Sequence, residues 1–304
     1  MRVTVIGYVC RDRNVLPDGH TIETVGGKGF YKAAALARSG VDVDLIPWLP
    51  PDDAGLLTAL ADYPVSIHVI PIPTGTVNTN QHDGDTTIAT TRLDPVSIEP
   101  KHFDQAMTQA LTDSDVVLIA PDIEAKLSLA TLHWLDAELG VSLMADISKY
   151  FRIIGNGGRL VPRYPWPRQA EYLKHFRTVF LSSEDIVPAL TSGESNLSIS
   201  RAMSEQGPSE VVITKGGQGA FAFQADTNDA FEIPAYPSWK LVDPTSAGDT
   251  FIGAYVARRL QSDNLFEAGR YAAMAASLKL NYTGPLRETA EEIDRALKAE
   301  EDNS

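Results

Sequence analysis

The sequence predicts an α/β fold in which a mostly parallel β-sheet is covered by helices on both faces. Short apolar runs alternate along the chain with longer amphipathic segments, the order expected of repeated strand–helix units. Two threonine-rich stretches with alternating polarity interrupt this order and predict a small antiparallel flap. With 304 residues, the chain can form one large domain that carries such an appendage.

The strands and helices follow from these patterns in chain order. The apolar runs predict strands at Val3–Val9, Val43–Pro47, Ser66–Ile70, Val116–Ile119, Val141–Ala145, Val179–Leu181 and Val211–Thr214. The amphipathic segments predict helices at Phe30–Arg38, Asp53–Ala61, His102–Leu111, Lys126–Leu139, Ile199–Gln206, Ala247–Leu260, Leu265–Leu280 and Glu288–Lys298.

The flap is predicted from residues 14–25 and 74–93, the second of which contains "TTIATTRL". Such alternation is typical of half-exposed antiparallel strands, and we expect them to form a lid over the edge of the sheet. Residues 1–304 are therefore interpreted as a single domain with this lid. The glycine- and proline-rich stretch "IIGNGGRLVPRYPWPRQ" predicts a surface loop.

Composition narrows the classes of function and the compartment. The formal net charge of −14 argues against sequence-independent binding of nucleic acid or of an anionic membrane. The single cysteine, Cys10, excludes an internal disulfide and fits a reducing compartment. The apolar run at the N-terminus is short for a signal peptide, and no run approaches the length of a membrane span. We therefore expect a soluble cytoplasmic protein.

The segment "DPTSAGDTFIGAYVARRL" predicts a helix that begins near Ala247. Ser246 and Asp249 fit a capping box, in which the serine and the acid bond reciprocally to main-chain N–H groups. That interpretation leaves Gly248 unexplained, because glycine in a first turn costs about 1 kcal/mol relative to alanine. The other interpretation is a phosphoryl site, in which a turn poor in side chains exposes its N–H groups and Asp249 receives a proton from an attacking hydroxyl.

Other motifs fall where parallel strands are predicted to end, which is where open α/β sheets bind ligands. Asp12 follows the first strand, "VGGKGF" opens the first helix, and residues 182–185 follow "TVFL". The "KGGQG" segment follows "EVVIT" and also fits a tight turn between two strands. "GGKG" matches neither a dinucleotide-binding fingerprint nor a Walker A loop.

Taken together, these motifs resemble those of the PfkB, or ribokinase-like, family of carbohydrate kinases. The family's C-terminal signature D-x-x-G-A-G-D-x-F reads "DPTSAGDTF" here, and its N-terminal element reads "GGKGFYKAAALARSG". "VVITKGGQGAF" is similar to the family's nucleotide-binding strand and turn, and "FLSSEDI" stands where the family has N-x-x-E. The resemblance extends from Val3 to about Leu297 and implies a ribokinase-like three-layer fold.

The resemblance implies roles for residues on both sides of the transferred phosphoryl group. Asp249 would be the catalytic base, and the amides of Ala247, Gly248 and Asp249 would bind the phosphoryl group; Ser246 replaces a glycine of the signature. The acceptor-binding set would comprise Asp12, Gly26, Gly27 and Tyr31, the last at a position where the family has asparagine. The nucleotide-binding set would comprise Ser182, Thr214, Lys215, Gly217 and Gly219.

Further assignments concern metals and the lid. Glu184 and Asp185 would share the Mg²⁺ contacts of the altered N-x-x-E motif. Asp243 lies where family members often hold a monovalent cation such as K⁺ through nearby backbone carbonyls. Arg92 in the flap would reach the acceptor or a phosphate, or would serve as plain solubilising charge. The short lid is similar to that of the inositol and nucleoside kinase branch.

The resulting functional prediction is an ATP-dependent kinase that acts on a hydroxyl of a small sugar, polyol or nucleoside. The alternative is a member that binds nucleotide or metabolite without catalysis, because Tyr31 and residues 182–185 depart from the family pattern. The expected partners are ATP and the small-molecule acceptor, with no nucleic acid and no membrane, and the protein is expected to be a monomer or a homodimer.

Overall fold

The computed structural model describes residues 1–15, 18–83, 86–93, 96–238 and 240–302. Its strands are β1 (Arg2–Gly7), β2 (Cys10–Val15), β3 (Thr21–Gly26), β4 (Asp42–Ile46), β5 (Trp48–Leu49), β6 (Val65–Ile67), β7 (Ile70–Pro71), β8 (Val77–Asp83), β9 (Thr86–Arg92), β10 (Val116–Ala120), β11 (Leu143–Asp146), β12 (Arg152–Ile154), β13 (Leu160–Pro162), β14 (Thr178–Ser182), β15 (Glu210–Thr214), β16 (Ala220–Gln224) and β17 (Asp229–Ile233). Its α-helices are α1 (Lys28–Arg38), α2 (Gln105–Thr112), α3 (Leu129–His133), α4 (Gln169–Leu173), α5 (Val187–Thr191), α6 (Asn196–Ser204), α7 (Ala247–Arg259), α8 (Leu265–Lys279) and α9 (Ala290–Asp302).

The central sheet has the order β17-β16-β15-β14-β11-β10-β1-β4-β6. Its strands from β15 to β6 pair in parallel, and β16 and β17 extend it antiparallel at one edge. The carboxyl ends of the parallel strands therefore lie along a single edge, which carries the segments after β1, β11 and β14.

Helices cover both faces of this sheet, as the alternation of buried residues in β1 illustrates. Val3 and Val5 pack into a core cluster that also contains buried residues of α1, α7 and α8. Ile6 belongs to a second cluster with buried residues of α2, α3 and α6. Because successive side chains of a strand point to opposite faces, the two clusters form the layers above and below the sheet. The predicted α/β fold class is confirmed.

A second, four-stranded sheet with the order β3-β2-β8-β9 forms the lid. β2 pairs antiparallel with β3 and parallel with β8, and β8 pairs antiparallel with β9. These strands contain most of the two segments predicted as flap; residues 16–17 and 84–85 of those segments lie outside the described residues. β2 follows β1 after only Tyr8 and Val9, so the lid grows directly out of the carboxyl end of the central sheet.

Four local expectations need correction. The segment predicted as a helix at Asp53–Ala61 is a 3-10 helix, Pro51–Leu60, which begins at proline. The predicted helix Lys126–Leu139 is divided into a 3-10 turn, α3 and a π-helical turn, Trp134–Glu138.

The predicted strand Ser66–Ile70 is two short strands, β6 and β7, because β7 leaves the central sheet and pairs with β5. The predicted surface loop contains the hairpin β12–β13, reversed at Gly157 and Gly158, whose positive φ angles suit glycine. The other predicted helices and parallel strands are confirmed, with shifted ends. No described helix has the length and apolar content of a membrane span.

Candidate active site

The first turn of α7 forms an open cradle of main-chain N–H groups. The nitrogens of Gly248 and Asp249 have no hydrogen-bond acceptor among the described residues, whereas the Ala247 nitrogen lies 3.3 Å from the carbonyl oxygen of Pro244. A Cβ atom added at Gly248 would meet no heavy atom within 4 Å. Such helix starts bind anions. The cradle therefore consists of the Gly248 and Asp249 amides, and the Ala247 amide that the resemblance adds to them is already engaged.

Ser246 does not cap this helix. Its backbone is left-handed, with φ 65°, whereas an N-cap residue normally has extended backbone. Its side chain makes no capping hydrogen bond, and the buried Oγ has no partner within the described chain. The capping-box interpretation of Ser246 and Asp249 is wrong, because the left-handed turn keeps the hydroxyl from the amides that it would cap.

Asp249 is held instead by a buried lysine of α1. The Nζ atom of Lys32 donates to Oδ1 of Asp249 and, at 2.7 Å, to Oδ2 of Asp146. The side chain of Lys32 is fully buried, while that of Asp249 is 19% exposed and lines a cavity. Burial lowers the pKa of Lys32, but the two carboxylates more than offset this and raise it. One carboxylate oxygen of Asp249 is therefore fixed by a permanent cation, which leaves Oδ2 toward the cavity.

Asp146, at the end of β11, connects this pair to a second lysine. Lys28 Nζ donates to Asp146 Oδ2 at 2.5 Å and to Ser148 Oγ, and Ser148 donates back to Asp146 Oδ1 at 2.6 Å. Burial opposes ionisation of Asp146, yet Lys28 and Lys32 hold its pKa far below the ordinary value. The network therefore pairs two lysines with two aspartates beside the cradle.

On the lid side of Asp249, the inner face of the lid sheet carries a polar group around Asp12. Asp12 Oδ1 accepts hydrogen bonds from Asn78 Nδ2 at 2.9 Å and from Cys10 Sγ at 3.3 Å. Thr91 donates to Asn78 Oδ1 at 3.0 Å, which fixes the amide. Burial raises the pKa of Asp12, the Asn78 and Cys10 hydrogen bonds lower it, and the nearby Asp249 charge raises it. Asp12 thus lies within electrostatic reach of Asp249.

Gly26, Gly27 and Tyr31 build the wall beside Asp12. A Cβ atom at Gly26 would lie 1.9 Å from Asp12 Oδ2, so only glycine leaves room for that carboxylate. Gly27 has φ 106°, and a Cβ atom there would lie 2.4 Å from the Tyr8 carbonyl oxygen, so the backbone conformation at this position requires glycine. The Tyr31 hydroxyl donates to the Val25 carbonyl oxygen at 3.3 Å, so Tyr31 ties α1 to the lid.

Lys149, in the 3-10 turn after β11, contributes a further positive charge. Its half-buried ammonium has neither a hydrogen bond nor an ion pair within the described residues. Burial, Lys28 and Arg152 lower the pKa of Lys149 to about 8, while Asp146 and Asp249 act in the opposite direction. The Lys149 charge also lowers the pKa of Asp12, so Lys149 is electrostatically coupled to both predicted site aspartates.

A cavity of about 670 Å³ extends from Lys28 and Asp249 away from the lid. Its polar end contains the cradle, and its far end is mainly apolar. The apolar lining includes Ala235, Leu241, Pro244, Ala273, Ala276 and Leu280. The β15–β16 turn contributes Thr214, Gly217 and Gly219, and β14 contributes Ser182, so four of the five predicted nucleotide residues line one cavity.

Lys215, the fifth, is directed elsewhere. Its ammonium donates to Glu232 of β17, and it is absent from the cavity lining. The turn itself is the predicted hairpin connection, with Thr214 opposite Ala220. Gly219 has φ 86°, and a Cβ atom there would lie 2.0 Å from the Ile233 carbonyl oxygen, so this glycine is required by close backbone approach.

The two predicted metal ligands differ in availability. Asp185 is buried; its Oδ2 accepts from the Ser182 nitrogen at 3.0 Å and its Oδ1 from Arg152 at 3.1 Å. Glu184 lines the cavity, and its carboxylate is 82% exposed, with the nearest Arg152 nitrogen 4.0 Å away. The structure therefore leaves Glu184 open to a metal ion and gives Asp185 a structural role, which corrects the expectation that both share the contacts.

Asp243 is already engaged by a lysine. Lys279 Nζ donates to the main-chain oxygen of Asp243 at 2.8 Å and lies 3.5 Å from its Oδ2. The Asp243 Oδ1 atom accepts from the Thr245 nitrogen at 2.9 Å. The backbone oxygen predicted to help hold a monovalent cation is thus bound by a side-chain ammonium.

Arg92 lies on the other face of the lid from Asp12. The strand pairing places Arg92, Val77 and Arg11 in one row, whereas Asp12 and Asn78 form the next row and point to the opposite face. Arg92 there lines a separate cavity of about 610 Å³. The predicted acceptor contact of Arg92 is therefore wrong, because the pleat directs its side chain away from the acceptor face.

Sequence reasoning missed Lys28, Lys32, Asp146, Asn78 and Lys149. A signal existed for the first two, because the four-residue spacing in "KGFYK" places both lysines on one face of α1. Asp146, like Asp12, follows an apolar run at the end of a predicted strand. Asn78 has no local signal, since it is 66 residues from Asp12 and meets it only through lid pairing.

Known proteins are similar to this chain along most of its length. A family model described as pfkB family carbohydrate kinase matches residues 2–291. Among curated proteins, a ribokinase of Bacillus subtilis is 27% identical over 287 residues, covering 90% of this chain and 89% of the relative. The bifunctional ribokinase/ribose-5-phosphate isomerase A of Fructilactobacillus sanfranciscensis is 30% identical over 268 residues; the match covers 85% of this chain and 46% of that relative.

Among solved structures, a pyrophosphate-dependent kinase in the ribokinase family, complexed with a pyrophosphate analog and myo-inositol, superposes with a TM-score of 0.80. The two chains are 22% identical, and the superposition covers 96% of this chain and 99% of the other. At this identity the likeness establishes a common fold.

Proposed function

The chain belongs to the pfkB family of carbohydrate kinases, phosphotransferases that act on hydroxyl groups, and we propose that it phosphorylates a small polyhydroxy compound with Asp249 as the base. The observation that carries the proposal is the arrangement at the start of α7. One oxygen of Asp249 is fixed by Lys32, the carboxylate lines the cavity, and two unpaired amides face open space beside it. A non-catalytic binding protein has no need of a fixed carboxylate at this point.

In the proposed reaction, the acceptor hydroxyl oxygen attacks the terminal phosphorus of the donor, and the bond from that phosphorus to the leaving phosphate oxygen breaks. The hydroxyl proton passes to Oδ2 of Asp249. The amides of Gly248 and Asp249 bind the transferred group. Because this transition state is loose, positioning and charge stabilisation contribute more than activation of the nucleophile.

A nucleoside triphosphate, with ATP as the expected example, is the proposed donor. The apolar end of the 670 Å³ cavity, which includes Leu241, Ala273 and Ala276, offers a surface for a planar base. The β15–β16 turn lines the same cavity as the cradle, and the phosphate chain would pass along it.

Pyrophosphate is the second donor candidate, because Lys28 lines the polar end of the cavity and the charge of Lys149 acts on Asp249. The superposed kinase is itself pyrophosphate-dependent. Such a donor would leave the apolar end of the cavity unused, which is why the nucleotide is preferred.

The proposed acceptor is a sugar, polyol or nucleoside bound under the lid. The Asp12 carboxylate and the Asn78 amide, joined at 2.9 Å, provide an acceptor and a donor for neighbouring hydroxyls. The family implies Mg²⁺, and the exposed carboxylate of Glu184 beside the cavity suits it. When bound, Mg²⁺ neutralises charge on the donor phosphates.

The test measures phosphorylated product and ADP release from Mg-ATP, with pyrophosphate in parallel, against a panel of sugars, polyols and nucleosides. Wild type is compared with Asp249→Asn and with Asp226→Asn, an exposed acid in the β16–β17 turn that serves as a control. We expect turnover in wild type and control, with a loss of about 10³-fold or more in Asp249→Asn while ATP binding persists.

Turnover that survives in Asp249→Asn would show that Asp249 is not the base. Turnover with pyrophosphate and none with ATP would reverse the donor assignment. Silence of wild type across the panel with both donors would overturn the proposed acceptor classes.

A further inference from the structure

Lys279 is a buried lysine whose position the proposed reaction does not explain. It is the last residue of α8, and its side chain is fully buried, although lysine normally keeps its ammonium in water. Its Nζ atom donates to the main-chain oxygen of Asp243 at 2.8 Å and lies 3.5 Å from a carboxylate oxygen of the same residue. A buried cation is costly unless the surrounding groups satisfy it.

The loop that Lys279 holds is the one that leads into the cradle. The Val242 nitrogen donates to the Leu280 carbonyl oxygen at 2.8 Å, so the loop is also tied by backbone to the end of α8. Within the loop, Asp243 accepts from the Thr245 nitrogen at 2.9 Å, and Ser246 has left-handed backbone. This path sets the direction in which the Gly248 and Asp249 amides point.

A main-chain oxygen and a carboxylate oxygen from one loop are the ligands of a hard cation. The family resemblance leads one to expect a monovalent metal ion at such oxygens, but the residues present do not fit one, because the Lys279 ammonium already binds the Asp243 oxygens. Burial lowers the pKa of Lys279, and Asp243 opposes that effect. The positive charge beside the Asp243 oxygens is therefore supplied by the side chain of Lys279.

We infer that Lys279 is a built-in cation, a positioning residue that fixes the loop before α7 and makes phosphoryl transfer independent of K⁺ and Na⁺. The predicted effect on turnover rests on the proposed function. The occupation of the Asp243 oxygens by the Lys279 ammonium does not depend on that function. The two parts are accordingly measured separately.

The first measurement is the melting temperature of the full chain in chloride salts of K⁺, Na⁺ and tetramethylammonium at equal ionic strength. A ligand that binds only the folded state raises the melting temperature, so wild type is expected to melt alike in all three salts. Lys279→Met, which opens the site, is expected to melt higher in K⁺ or Na⁺ than in tetramethylammonium. Lys240→Met, an exposed lysine in the same region, is the matched control and is expected to behave as wild type.

The second measurement is turnover in the same salts. The turnover of wild type is expected to vary by less than about twofold among the three salts. Lys279→Met is expected to lose about tenfold or more of its turnover in tetramethylammonium, with partial recovery in K⁺.

A wild type that K⁺ activates about tenfold, or whose melting temperature rises specifically with K⁺, would overturn the inference. So would a folded Lys279→Met that matches wild type in both measurements. If Lys279→Met does not fold, the wild-type salt series alone decides. Absence of any turnover would count against the proposed function, and the melting comparison would then decide whether Lys279 replaces a bound cation.

Discussion

The proposed acceptor pocket around Asp12 and the proposed phosphoryl cradle at the start of α7 are built from different parts of the chain. The acceptor pocket is made of side chains, with Asp12 held by Asn78 and Cys10. The cradle is made of backbone, with two amides left open by Gly248. Side chains distinguish one ligand from another, whereas a helix start binds any phosphoryl group. We therefore expect changes in the pocket to alter the choice of acceptor and changes in the cradle to alter turnover with every acceptor.

Among the tests of this contrast, the largest expected effect comes from Lys32, whose ammonium holds Asp249 Oδ1. Lys32→Met leaves the carboxylates of Asp146 and Asp249 without their shared cation and is expected to cost about 3–5 kcal/mol of unfolding free energy and about 100-fold in turnover. Urea unfolding measures the loss of unfolding free energy, and steady-state kinetics measure the loss of turnover. Lys298→Met, an exposed lysine of α9, is the control. A variant with wild-type turnover would show that Asp249 needs no fixed partner.

Asp12→Asn tests the pocket side. The substitution removes the negative charge while keeping the shape, and it is expected to raise the KM for the acceptor by about 10–100-fold through loss of charge-assisted hydrogen bonds. The KM for the donor should remain within about twofold, because Asp12 does not line the cavity proposed for the donor. Asp18→Asn, an exposed acid in the lid, is the control. An equal rise in the KM for the acceptor and the KM for the donor would show that Asp12 does not act on the acceptor alone.

Gly248→Ala tests the cradle with a single methyl group. The added Cβ meets no protein atom, so the substitution is expected to stabilise the helix by up to about 1 kcal/mol. Turnover is expected to fall about tenfold with every acceptor, because the methyl group enters the space of the transferred group. Thermal unfolding measures the gain in stability, and kcat measures the loss of turnover. Gly55→Ala, at an exposed glycine, is the control. A stabilised variant with full turnover would exclude this cradle.

The last expected effect concerns stability alone and comes from Lys149, whose charge acts on both Asp12 and Asp249. Its pKa is lowered to about 8 from 10.5, so between these pH values the unfolded chain binds a proton that the folded chain does not. Stability from this group therefore rises as pH climbs from about 8 to 10.5. In Lys149→Met that rise is absent, and the variant is expected to exceed wild type in stability at neutral pH. Urea unfolding across this pH range checks the difference, which an unchanged slope would contradict.

The contrast between a backbone cradle and a side-chain pocket also explains which parts of the candidate site the sequence could predict. The start of α7 and the glycine turn after β15 were predictable, because each depends on residues within a few positions of one another. The acceptor pocket depends on lid pairing across 66 residues, which no local pattern encodes. Asp185 was misassigned because Arg152, distant in sequence, binds its carboxylate. Arg92 was misassigned because the register of β9, and not its composition, decides which face it occupies.

The direct passage from β1 to β2 has a mechanical consequence. Tyr8 and Val9 are buried, and the Tyr8 carbonyl oxygen accepts from the Gly29 nitrogen at 3.0 Å, so the base of the lid is anchored to the start of α1. Asp12 lies only a few residues beyond this pivot, whereas Val15 lies at the far end of the strand, at about 3.3 Å per residue. A rotation about the pivot therefore displaces the lid tip much more than Asp12. The lever is therefore short at Asp12, where the acceptor is proposed to bind, and long at the tip of the lid.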